Sequence, residues 1–89
     1  MARFIAIGKV SGWDGLEKFT ADLKSTEKWR VDARTTITTV YALADGRVIA
    51  ECHTPEKAEF EAWLSKVGFA VESLTQMKHI AKAGDVWKC

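Results

Sequence analysis

A chain of 89 residues has room for one domain around one modest core. It is 47% hydrophobic and 28% charged with a single proline, which is the make-up of a globular domain and excludes an intrinsically disordered segment. The formal net charge is +1 with both signs interspersed, so nucleic acid has no electrostatic claim; no long apolar run and no basic-apolar leader occur, so no membrane span or export is expected, and the cytoplasm is the expected compartment.

The first predicted element is a buried strand, Arg3 to Val10 ("RFIAIGKV"), bounded by "SGWDG". The period then changes. Leu16, Phe19 and Leu23 recur at helical spacing in "DGLEKFTADLK", and Asp14 with Glu17 three residues on resembles a capping box. "STEKWRVDA" is open: it can finish the helix, form a loop, or begin the next strand. "RTTITTVYAL" is β-branched and reads as a strand, "ADGR" follows, and "VIAECHT" is a second strand. Asp45-Gly46 between two β-rich runs is the strongest hairpin signal of the chain, because glycine accepts the positive φ of a type I′ turn.

Thr54 and Pro55 then read as a helix start, a hydroxyl N-cap followed by proline at the first helical position. Phe60, Trp63, Leu64 and Val67 form an i, i+3, i+4, i+7 stripe, and Gly68 ends the helix. "AVESLTQMKHIAKAGDVWKC" is read as a last strand on grounds of topology, although Leu74, Met77 and Ile80 or Ala81 could also be a helix stripe. The order β-α-β-β-α-β is that of a split βαβ, or ferredoxin-like, α+β domain spanning residues 1–89: four antiparallel strands with two helices on one face.

A two-residue Asp45-Gly46 loop sets a register in which Leu43 faces Val48, Tyr41 faces Ala50, Thr39 faces Cys52 and Thr38 faces His53. Alternation then places Ile37, Thr39, Tyr41, Leu43, Val48, Ala50 and Cys52 under the helices. Thr36, Thr38, Val40, Ala42, Ile49, Glu51 and His53 fall on the open face, with Ile5 and Ile7 of the first strand. Cys52 becomes a small buried hydrophobe, and Cys89 a bland terminal thiol; two cysteines without an export signal are expected to be reduced. Tyr41 is expected beneath a helix, its hydroxyl structural. Trp13, Trp29 and Trp87 are expected to pack in a core or an interface rather than to cage a ligand. The glycines of "GKVSGWDG" lack phosphate-loop spacing.

At "VYALADGRVIAECHTPEKAEFEAWL" and "MKHIAKAGDVWK" the chain resembles small ferredoxin-like proteins of the dimeric α/β-barrel superfamily. It is similar in particular to short bacterial proteins of unassigned function, some described as nickel-binding. The resemblance implies a homodimer in which two open sheet faces meet around a ligand-sized interior, and a divalent transition metal such as nickel as one possible occupant. The wider superfamily includes cofactor-free monooxygenases and isomerases, so an enzyme is the alternative reading, and a structural dimerisation module a third.

The site residues follow from the facing. Glu51 and His53 alternate onto the open face, with Thr38 opposite His53, as ligand contacts. Glu51 is a carboxylate that could carry a proton or pair with Arg3, Lys9, Arg34 or Lys78. His53 could act as acid, base or ligand, or merely cap the hairpin or the next helix. Glu51 and His53 are also the catalytic candidates of the enzyme reading. His53 and His79 are the metal candidates, since two imidazoles and a carboxylate suit a first-row ion. Neither HxH nor HExxH occurs, and an ideal sheet places the two histidines two strands, or roughly 10 Å, apart. A single ion would then require long side-chain reach or a second subunit.

Overall fold

The computed structural model describes residues 2–24 and 29–88, with Trp87 described in its backbone only. The elements are β1 (Ala2–Val10), α1 (Leu16–Leu23), β2 (Thr36–Ala42), β3 (Val48–Thr54), α2 (Lys57–Lys66), β4 (Phe69–Gln76), β5 (His79–Lys82) and β6 (Asp85–Lys88). The first four strands form one antiparallel sheet in the order β2-β3-β1-β4, the ferredoxin-like order, and β5 pairs only with β6.

The core lies on one side of that sheet. Phe4, Ala6 and Val10 of β1 and Val48, Ala50 and Cys52 of β3 meet Leu23 of α1, Phe60, Trp63 and Leu64 of α2, and Trp13. These β1 and β3 residues sit at period two, and the α2 residues at the expected helical stripe, so patterning alone determines the burial. At the centre of the α2 stripe, the Phe60 and Trp63 rings stack at 6.4 Å.

The α1 stripe differs from expectation. Leu16 is 78% exposed, and Trp13, at 1%, takes its place against the core, edge-on to Phe19 at 5.5 Å. Trp13 Nε1 donates to Asp22 Oδ2 at 2.7 Å, which gives the buried indole its polar partner. The helix cap is Gly15, with no side-chain hydrogen bond, so Asp14 does not build the expected capping box. The backbone bends before Asp14 can reach it: Trp13 N donates to Val10 O and Gly15 N to Gly12 O. At the other end Trp29 Nε1 donates to Leu23 O at 2.7 Å and satisfies a terminal carbonyl of α1. Of the ambiguous segment, residues 25–28 lie outside the described residues; Trp29 to Ala33 form a loop tied to β2 by an Arg30–Thr36 bridge and an Ile37 N to Trp29 O bond.

The β2–β3 hairpin exists, but its loop has three residues rather than two. Leu43 N donates to Arg47 O at 2.8 Å and Gly46 N to Leu43 O, with Gly46 at φ +90°. That is a type I turn closed by a left-handed glycine, a G1 bulge. Asp45 holds it: its carboxylate accepts from Arg47 N at 3.0 Å and Arg47 Nε at 2.8 Å. The extra residue shifts the register by one, to Ala42↔Val48, Tyr41↔Ile49, Val40↔Ala50 and Thr39↔Glu51. A second bulge at Thr38 restores the expected phase for Ile37↔Cys52 and Thr36↔His53.

Thr39 and Tyr41 therefore lie on the open face and Val40 and Ala42 on the helix side, the reverse of the expected facing. Tyr41, expected beneath a helix, is 47% exposed. Ile37, Val48, Ala50 and Cys52 face the helices as expected.

The start of α2 also moves. Thr54 ends β3, the N-cap is Glu56 and the first helical residue is Lys57. Thr54 is fully buried; its Oγ1 lies 2.8 Å from Thr35 Oγ1 and accepts from Glu56 N at 3.2 Å. Its hydroxyl thus forms a turn ahead of the helix instead of capping it. Gly68, at φ +76°, ends α2 as expected, its N–H donating to Ser65 O.

The chain beyond β4 departs most from the expected single final strand. Met77 N still donates to Arg3 O, but His79–Lys82 leaves the sheet and pairs with Asp85–Lys88. The loop residues Ala83 (φ 52°) and Gly84 (φ 91°) are both left-handed, as a two-residue type I′ turn requires. Cys89 lies outside the described residues. No helix among the described residues is long and apolar enough to cross a membrane.

Candidate functional site on the open sheet face

The face away from the helices is built from the odd residues of β1 and β3 and their neighbours. Cross-strand pairing gives three rows. Arg3, His53 and Thr36 form the first, Ile5, Glu51 and Thr39 the second, and Ile7, Ile49 and Tyr41 the third. On the other flank of β1, Thr75 stands beside Ile5 and Ser73 beside Ile7. The face therefore grades from a polar end, through Glu51, to an apolar end. Arg3, Ile5, Ile7, Ile49, Glu51 and His53 are each half-buried by their sheet neighbours, and both helices lie on the other side.

Glu51 and His53 share this face, as alternation required. Among the described residues the ion pairs are Lys18–Asp22 and Arg47–Asp45, so the carboxylate of Glu51 is not tied to Arg3, Lys9, Arg34 or Lys78. Thr38 does not oppose His53. It is the extra residue of the β2 bulge, and its Oγ1 donates to the carbonyl oxygen of Glu51 at 3.3 Å. Thr36 takes the position opposite His53, and Thr39 the one opposite Glu51. Those two threonines were missed because a single loop residue inverts the facing of half a strand.

His79 is not on the four-stranded sheet. It opens β5, pairs with Lys88 and is exposed. Among the described residues no three His, Cys, Asp or Glu side chains form a group able to hold a metal ion.

Cys52, next to both site residues in sequence, is on the buried side. Desolvation, aided by the negative charge of Asp32, pushes its thiol up to about 12, so it stays protonated near neutral pH, on the side of the sheet away from Glu51 and His53.

The helical layer holds a second feature that sequence reading did not single out, a recess of ≈ 470 Å3 whose lining includes Lys18, Asp22, Arg30 and Lys66. These come from α1, the loop before β2, and α2. Only the i, i+4 spacing of Lys18 and Asp22 is a local signal; the rest of the grouping arises from the fold.

A comparison of the chain with protein-family models, with characterised proteins and with solved structures gives no match.

Proposed function

We infer that the protein is a small homodimeric binding protein of the dimeric α/β-barrel type. Its open sheet faces meet around a pocket for a small ligand, with Glu51 and His53 as the polar contacts. The observation that carries this reading is the three-row face: His53 stands beside Arg3 and Thr36 at one end, Glu51 stands in the next row between Ile5 and Thr39 with no ion-pair partner among the described residues, and Ile5, Ile7, Ile49 and Tyr41 supply an apolar wall. A few polar groups converging on an apolar wall is the usual make-up of a small-molecule site. A divalent transition metal such as nickel is the alternative occupant, with His53 of each copy as its donors, because no group of three donors forms among the described residues of one chain.

The C-terminal hairpin supports the dimer. Its strands have four residues each, Val86 is 74% exposed, and Ile80 is only half-buried. An isolated two-stranded hairpin is marginal in water, so it needs a surface to rest on. Four strands of about seven residues present a face of only about 450 Å2, from about 4.8 Å between strands and about 3.4 Å per residue. A stable interface takes roughly 800 Å2 of accessible surface from each partner, and the exposed Val86 of the hairpin adds apolar surface to that of the sheet.

Native mass spectrometry and elemental analysis of the purified protein test the occupant. A bound small molecule or metal, lost in Glu51→Gln or His53→Ala with the fold retained, supports the pocket. A dimer with nothing bound, and a melting temperature unmoved by nickel, copper or zinc, would remove the metal alternative. A dimer core without a cavity would remove the pocket altogether.

A further inference from the structure

We propose that the recess in the helical layer is a second binding site, for a small organic oxyanion with an apolar body. It is separate from the sheet-face pocket and does not depend on it. Its floor is apolar: Trp63 is buried, and Val31 and Val67 are half-buried. Among the described residues its rim carries three cations, Lys18, Arg30 and Lys66, and one anion, Asp22.

Among the described residues the rim has more cations than anions. Lys18 Nζ lies 2.6 Å from Asp22 Oδ2, and that same oxygen accepts the indole N–H of buried Trp13 at 2.7 Å. Lys18 and Asp22 thus form an ion pair with each other. Arg30 and Lys66 have no ion-pair partner among the described residues, and both are exposed. Two unopposed cations beside an apolar floor favour an anion over a cation or a neutral molecule.

The guanidinium supplies a planar fork of donors that suits a carboxylate or a phosphate, and the ammonium adds a point charge. The ≈ 470 Å3 of the recess lies within the usual range for small-molecule sites. The elements that form it are anchored: Trp29 Nε1 bonds the last turn of α1, Val31 N bonds Thr35 O at 2.9 Å, and Trp63 is seated in the core. The cations therefore stand on a preformed scaffold.

The test is an NMR titration of the 89-residue chain with 1-naphthoate, 1-naphthyl phosphate and neutral 1-naphthol. The expected result is saturable shifts at the amides of Arg30, Val31, Lys66 and Val67 and at the Trp63 indole. At least one anion should bind about tenfold or more tightly than the naphthol, a difference of about 1.4 kcal/mol. The preferred anion identifies the head group. Arg30→Ala and Lys66→Ala, both at exposed positions, should each weaken the anion without moving the naphthol, and Lys66→Arg should restore most of it. Glu51→Gln should leave all three constants unchanged. Equal affinity for naphthol and both anions would overturn the proposal. So would shifts confined to the sheet face, or an anion affinity indifferent to the Arg30→Ala/Lys66→Ala pair.

Discussion

At the scale of the residue, the run Glu51-Cys52-His53 separates into two environments. Alternation alone sends the thiol inward and the other two side chains outward, and this much was legible before any coordinates. The buried thiol has a consequence for pH. Its native value of about 12 lies above the ordinary 9.0, so above pH 9 the unfolded chain loses this proton while the native chain keeps it. Stability then falls as pH rises through that window, by at most about 1.4 kcal/mol per pH unit. Urea denaturation at about pH 8 and about pH 10 should show wild type losing ~1 kcal/mol more than Cys52→Ala; parallel losses would contradict the burial argument. In a Cys89→Ser background the native protein should also resist a thiol reagent until it is unfolded. The buried Thr35–Thr54 hydroxyl pair was not legible, because "HTPE" reads equally well as a capping signal. Thr54→Val should cost about 1–3 kcal/mol in thermal or urea denaturation, since Thr35 Oγ1 is left without its partner.

At the scale of the element, the strands and helices were written in periodicity, and the bulges were not. Asp45-Gly46 identified the hairpin, but dipeptide chemistry does not distinguish a two-residue loop from a three-residue loop closed by a left-handed glycine. That one residue moved Tyr41 and Thr39 across the sheet. β4 carries a comparable bulge: Ile7 pairs with Ser73 but Gly8 with Val71, leaving Glu72 unpaired. There the β4 backbone comes close to β1. A Cβ on Gly8 would collide with the carbonyl oxygen of Ala70 and approach Phe69 Cε1 to 2.8 Å. Gly8→Ala should therefore destabilise by about 1–3 kcal/mol, where Ala would ordinarily be the better strand residue; an unchanged melting temperature would refute the close approach. The β5–β6 hairpin was missed because its strands are too short to give a period and its turn, Ala83-Gly84, lacks the usual Asn or Asp.

At the scale of the molecule, one sheet separates two chemistries. The helix side is a closed core with an anion-suited recess at its surface, and the other side is a graded polar-to-apolar face, with the β5–β6 hairpin following β4. The face was foreseeable from β1 and β3, whose alternation is unbroken; the recess was not, since Lys18, Arg30 and Lys66 are far apart in sequence. Removing residues 79–89 should leave the four-stranded fold intact by far-UV circular dichroism while weakening self-association, because β5 and β6 pair only with each other. The central claim is that the open face is an interface between two copies. Native mass spectrometry of the 89-residue chain and of Ile49→Arg is the decisive measurement, as Ile49 lies mid-face between Ile7 and Tyr41. The expected masses are twice the 9.9 kDa chain mass for wild type and a folded single chain for Ile49→Arg. A single-chain wild type, or a dimer that Ile49→Arg leaves intact, would contradict it.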